Sequence, residues 1–116
     1  MEVKGKILER RLVGIMETRE VWLDNTQLTP ERSQKFHNHS PDGFNWGYGG
    51  SGPAQLALAI CLELHGEENV TPEIYQDFKW KLISKLPQGD FDILFYKNSD
   101  ATLFQTSTVL KIDKDK

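Results

Sequence analysis

The stretch Ser40-Pro41-Asp42-Gly43-Phe44-Asn45-Trp46-Gly47-Tyr48-Gly49-Gly50-Ser51-Gly52-Pro53 holds the residues of this sequence best suited to chemistry. Glycines let a backbone approach a ligand closely, and Pro53 suits the first position of a helix. The stretch therefore leads to free N–H groups at the positive end of a helix dipole, where an anion fits. Phe44, Trp46 and Tyr48 offer rings for stacking on a base, while the backbone of Gly49, Gly50, Ser51 and Gly52 offers donors to phosphate. On this reading Trp46 and Tyr48 are partly exposed. Asp42 either caps a turn or selects a ligand hydroxyl or amino group. Gln55, on the first helical turn, is either a cap or a ligand contact. Lys79 reaches a phosphate at the loop where two helices pack side by side. The same residues also admit two other readings, rings folded back over a core helix and a protein-binding loop.

Familiar catalytic patterns fit less well. Gly47, Gly49 and Gly52 have the G-x-G-x-x-G spacing of dinucleotide folds, but neither a long parallel-sheet strand nor an acidic ribose partner accompanies them. No Lys-Ser or Lys-Thr follows the glycines, which excludes a phosphate loop, and Pro53 stands where a serine elbow needs glycine. His37, His39 and Asp42 supply metal-ligand atoms at a spacing that matches no established metal site. Cys61 falls in an apolar segment that suppresses the thiolate, and His65 suits a helix C-terminus. No catalytic set, metal or cofactor is expected.

The elements that must position this loop follow from periodicity. Val3 to Leu8 and Val13 to Leu23 read as two strands, with Gly14 interrupting the chain between them, a tight turn at Asp24-Asn25-Thr26 and a hairpin end near Leu28. Thr29 to Ser51 shows no sustained period and reads as one long loop, the kind that is usually functional. A helix opening at Pro53, capped by Gly52 or Ser51, is apolar on nearly every face through Leu64 and stops at Gly66. A second, amphipathic helix starts with Thr71, Pro72 and Glu73 and runs to Leu86. It turns Ile74, Phe78 and Leu82 to the core and Lys79, Lys81 and Lys85 to water. After a turn at Pro87-Gln88-Gly89, Phe91, Ile93 and Phe95 alternate as in a strand, Thr102 to Ile112 is again strand-like, and the tail beyond frays. The expectation is an α+β single domain over residues 1–116.

Composition agrees. In 116 residues, 38% are apolar and 27% charged, enough for one core without staples. A net charge of −3 argues against general nucleic-acid binding, which needs clustered Lys and Arg. One cysteine excludes an internal disulfide. Neither a leader between Met1 and Arg11 nor a membrane span is evident, so a cytoplasmic protein is expected.

The segment His39-Ser40-Pro41-Asp42-Gly43-Phe44, continued through Trp46-Gly47-Tyr48-Gly49-Gly50-Ser51-Gly52-Pro53-Ala54-Gln55-Leu56-Ala57-Leu58-Ala59, resembles the signature of a bacterial and phage family numbered 6166 among the domains of unknown function. Tyr75-Gln76-Asp77-Phe78-Lys79-Trp80 and Leu86-Pro87 extend the resemblance over roughly residues 1–95. The opening Val3-Lys4-Gly5-Lys6 lacks the aromatic residue usual before the glycine, and residues 97–116 resemble an added C-terminal segment. The resemblance implies an accessory or counter-defence role in phages and mobile elements, acting in the host cytoplasm, and no activity. Three functions are expected in order: a non-enzymatic module that sequesters a phosphorylated small molecule such as a cyclic nucleotide, an inhibitor of a host defence protein, and a small nucleotide-processing enzyme. A homo-oligomer suits the first, since so small a core leaves little interior for a cavity.

Overall fold

The computed structural model describes residues 7–98 and 110–111. Strand β1 (Ile7–Ile15) runs straight through Gly14. The expected interruption there is absent because the glycine serves a neighbour: a Cβ at this position would stand 2.3 Å from Phe91 Cε2. The chain turns instead between Met16 and Arg19, where Arg19 takes a left-handed φ of 64° and its N–H donates to Ile15 O at 2.7 Å. That turn breaks the alternation expected from Ile15 to Leu23. Strands β2 (Glu20–Leu23) and β3 (Thr26–Leu28) are joined by Asp24 and Asn25 at φ 51° and 71°, the paired positive φ of a tight hairpin turn, as the sequence predicts.

With β4 (Phe91–Asn98) and β5 (Leu110–Lys111), these form an antiparallel sheet in the order β3-β2-β1-β4-β5. Leu12 lies opposite both Leu23 and Ile93, and Gly14 opposite both Val21 and Phe91. One face of the sheet thus carries Leu12, Val21, Leu23, Phe91, Ile93 and Phe95, all buried in a single core with the helices. On the other face Arg11 Nε donates to Asp92 Oδ1 at 2.8 Å, and Arg11 Nη2 bonds the second oxygen. Of the expected strand from Thr102 to Ile112, only Leu110 and Lys111 fall within the described residues; the start of the Val3 to Leu8 strand and the tail lie outside them.

Helix α1 (Pro30–Phe36) lies inside what reads as one long loop, a correction to that expectation. Pro30 occupies its first turn, Glu31 faces the positive end of its dipole and Lys35 the negative end. Helix α2 (Ser51–His65) begins two residues before Pro53, with Gly50 at the cap, and is buried from Gly52 through Leu62 as its apolar surface requires. Helix α3 (Pro72–Lys81) is capped by Thr71, whose side chain accepts from Ile74 N. It ends before the expected Leu86, because Leu82 leaves helical geometry and a 3-10 turn follows at Ile83–Lys85. Phe78 packs on Phe95 of β4 at 5.6 Å between centroids, which seats α3 on the sheet. Among the described residues, no helix is long and apolar enough to cross a membrane.

Candidate functional site

The glycine and aromatic segment between α1 and α2 is held from both sides. Gly47 N donates to Ile83 O at 3.0 Å, and Gln88 Nε2 donates to Gly47 O at 2.9 Å. Trp46 is 0% exposed, its Nε1 donates to Gly89 O at 2.9 Å, and its ring stands edge-on to Phe91 at 5.0 Å. The expected partial exposure of Trp46 is therefore overturned: its indole has a main-chain partner and a core neighbour, as a buried tryptophan requires. Phe44 is buried as well, whereas Tyr48 is 42% exposed.

Around Tyr48 lies a cleft of about 390 Å³ lined by Arg19, Ser40, the 42–45 stretch, Tyr48, Ser51 and Gly52. Its size is within the range of roughly 300–1,000 Å³ typical of small-molecule sites. A second hollow of about 290 Å³, lined by Met16, Trp46 and Gln88, shares Arg19, Asn45 and Tyr48 with the first. Those three residues form the divide between the two spaces. The site thus gathers the exposed carboxylate of Asp42, the guanidinium of Arg19 and the start of α2. The first intrahelical bond there is made by Ala54 N to Gly50 O at 3.0 Å. The earlier N–H groups of Ser51 and Gly52 have no partner within the helix.

Packing accounts for the glycines. A Cβ at Gly49 would stand 2.2 Å from Trp80 Cη2, one at Gly50 2.4 Å from Tyr48 Cε2, and one at Gly52 2.6 Å from Asn45 Cβ. The Gly49 and Gly50 backbone thus provides the clearance in which the two rings rest. Of the residues expected at the site, Asp42, Phe44, Tyr48, Ser51 and Gly52 line the first cleft and Trp46 the second, while Gly49 and Gly50 support rings beside it.

Gln55 and Lys79 are placed elsewhere. Gln55 is fully buried; its Oε1 accepts from His39 N at 2.7 Å and Ser40 N at 2.8 Å, and its Nε2 donates to Ser33 Oγ at 2.9 Å and His37 O at 3.1 Å. It is neither a helix cap nor a lining residue, but the bolt that fixes α1 and the following chain to α2. Lys79, expected to face water, is 7% exposed with Nζ 4.2 Å from the centroid of the Trp80 ring. Its carbon stem fills space on the buried side of α3, and the Trp80 face takes its charge.

His37 and His39 stack at 4.1 Å, and among the described residues no group of three or more His, Cys, Asp or Glu side chains is placed to hold a metal ion. Burial pushes the Cys61 thiol well up, so it stays protonated. Arg19, Asn45 and Gln88 are site residues that sequence reasoning missed. The Glu-Thr-Arg-Glu run of the hairpin gave no sign that Arg19 meets the loop; its Nη1 donates to Met16 O at 2.9 Å, which ties the guanidinium to the turn that carries it.

Residues 10–102 match the model of a family described as "Family of unknown function (DUF6166)". No curated protein and no solved structure matches the chain.

Proposed function

The chain belongs to the DUF6166 family, and from that premise we propose that it is a non-enzymatic binding module for a small phosphorylated molecule carrying an aromatic ring, of the nucleotide or cyclic-nucleotide kind. The observation that carries this reading is the convergence of Arg19, the first turn of α2 and the exposed ring of Tyr48 on one cleft. Arg19 and the Ser51 and Gly52 N–H groups meet phosphate oxygens. Tyr48 stacks on the base, and Asp42 accepts from a hydroxyl or amino group. Capture rather than turnover is favoured because, among the described residues lining the cleft, none is an imidazole or a thiol. In the phage and mobile-element setting that the resemblance implies, capture lowers the free concentration of a nucleotide signal in the host cytoplasm.

A thermal-shift screen of nucleotides and cyclic nucleotides tests this reading. A true ligand at 100 times its Kd stabilises the fold by about 2.7 kcal/mol. Tyr48→Ala and Arg19→Gln remove the gain, and heat denaturation of the complex returns the ligand chemically unchanged. Recovery of product would replace capture by catalysis. A second reading, inhibition of a host protein, draws on Trp80 and Phe36, which are 54% and 43% exposed, since exposed aromatic rings anchor protein interfaces. A screen with no stabilising ligand would favour it.

A further inference from the structure

We infer that the Tyr48 cleft and the hollow beside it are adjoining halves of one site for a dinucleotide, two nucleosides joined through a phosphodiester that Arg19 grips. This rests on the nucleotide reading of the cleft and names its ligand more closely. The two spaces, of about 390 Å³ and 290 Å³, share Arg19, Asn45 and Tyr48 in their linings, so a ligand crosses from one to the other over side chains rather than through the core. The first alone is near the lower end of the range of roughly 300–1,000 Å³ usual for small-molecule sites, and the second brings the pair well inside it.

Beyond the shared residues the halves differ in chemistry. The first adds Ser40, Asp42, Ser51 and Gly52, a polar lining suited to sugar and phosphate. The second adds the Met16 thioether and the Gln88 amide, backed by the buried Trp46, a lining suited to a flat ring. Gln88 Nε2 is engaged by Gly47 O at 2.9 Å, which fixes the amide. Its Oε1, with no donor among the described residues, is left to accept an amino group on the edge of a base. Arg19 is held at the junction by its own turn. Its N–H donates to Ile15 O at 2.7 Å and its Nη1 to Met16 O at 2.9 Å. A φ of 64° is uncommon for any residue but glycine, asparagine or aspartate, yet an arginine stands here. Among the described residues its guanidinium enters no ion pair. The remaining N–H groups form a fork that matches the two free oxygens of a phosphodiester and neutralises its charge. A mononucleotide occupies the first half and leaves Met16 and Gln88 untouched, whereas a second nucleoside reaches them.

Calorimetric titration tests this with three probes for each ribonucleotide base: the nucleoside 5′-monophosphate, the 3′,5′-bisphosphate and the 5′-phosphorylated dinucleotide. For a base that binds, the dinucleotide should be held about tenfold or more tighter than the monophosphate, the gain from one further packed ring. The bisphosphate, which reaches Arg19 but not the second hollow, should recover only part of that gain. Met16→Ala should shrink the advantage of the dinucleotide toward that of the bisphosphate. Gln88→Ala, at an exposed position, should do the same and serves if Met16→Ala fails to fold. A dinucleotide held no tighter than the monophosphate or the bisphosphate, or an advantage undiminished in a folded Met16→Ala or Gln88→Ala variant, would overturn the inference while leaving the nucleotide reading in place. Silence from every probe would remove that reading, and the inference with it.

Discussion

The side-chain oxygen of Gln55 accepts the backbone N–H of Ser40 at 2.8 Å, across a buried gap between the first turn of α2 and the chain leaving α1. The same amide also serves His39 N, His37 O and Ser33 Oγ, so one side chain satisfies four polar groups. Gln55→Leu keeps the volume but takes from Ser40 N its side-chain acceptor, while His39 N and His37 O keep only their mutual bond at 3.1 Å and Ser33 Oγ its bond to Pro30 O. A buried group left unpaired costs about 1–3 kcal/mol, and partial relaxation should bring the total to about 2–4 kcal/mol. Urea unfolding should show the lower midpoint with an unchanged slope. A loss under about 1 kcal/mol would mean that water replaces the amide and the bolt is dispensable.

Two glycines lie equally close to aromatic rings and should respond unequally. At Gly14 a Cβ would meet Phe91, which is 1% exposed and walled in by core. At Gly49 it would meet Trp80, more than half of whose surface faces solvent. Gly14→Ala should cost about 1–3 kcal/mol, the usual penalty for forcing extra volume into a packed core. Gly49→Ala should cost clearly less, because Trp80 swings outward, and its fluorescence should shift to the red. Equal losses in thermal unfolding would show that Trp80 is held as firmly as Phe91.

Trp46 and Tyr48 separate stability from binding. Trp46→Ala empties a fully buried site and should destabilise the protein by about 3–5 kcal/mol, so a binding defect in that variant says nothing about stacking. Tyr48→Ala should cost less than about 1 kcal/mol, as a surface change does. If Tyr48 stacks on a base, its loss removes about 1–3 kcal/mol of binding, roughly five- to 150-fold in Kd. Calorimetric titration of a nucleotide found in the screen would read this, and unchanged affinity in folded Tyr48→Ala would remove the tyrosine from the site.

Much of the fold was legible because the hydrophobic pattern carried it. The all-round apolar run of α2, the Ile74, Phe78 and Leu82 spacing of α3, and the Phe91, Ile93 and Phe95 alternation of β4 are each visible in a few residues. Thr29-Pro30-Glu31 and Thr71-Pro72-Glu73 are the same helix start, yet only the second could be recognised. After the first come Arg32, Ser33, Gln34 and Lys35, and the buried residue of α1 is a serine whose hydroxyl donates to Pro30 O at 2.9 Å. That helix is held by hydrogen bonds to Gln55 rather than by an apolar stripe, so it leaves no period. The candidate site was half legible for a related reason. Tyr48, Ser51 and Asp42 are local to the glycine segment, whereas Arg19 joins them only through the hairpin turn. Trp46 looked available because Gly89 O and Phe91, which claim its ring, lie more than forty residues further along the chain.

His39 gives the stability a pH dependence whose sign can be worked out. Burial first, then His37 and Lys79, hold its folded pKa below the ordinary 6.5, so the folded protein resists taking up a proton there that the unfolded chain accepts. Above about pH 6.5 both states are neutral at this residue and the full stability is present. As pH falls through 6.5 toward the folded pKa, the unfolded chain binds more protons than the folded one, and linkage makes stability decline over that window. His39→Gln keeps an amide to meet the Tyr75 hydroxyl but cannot titrate. Urea unfolding of both proteins in a phosphate-free buffer from about pH 8 to about pH 5 should therefore show wild type losing more stability than the variant, with the gap opening below about pH 6.5. Parallel curves would mean that the imidazole is solvated enough in the folded state to titrate as it does in the unfolded chain. A wild-type curve that falls less than the variant's would reverse the sign and require an acid facing His39.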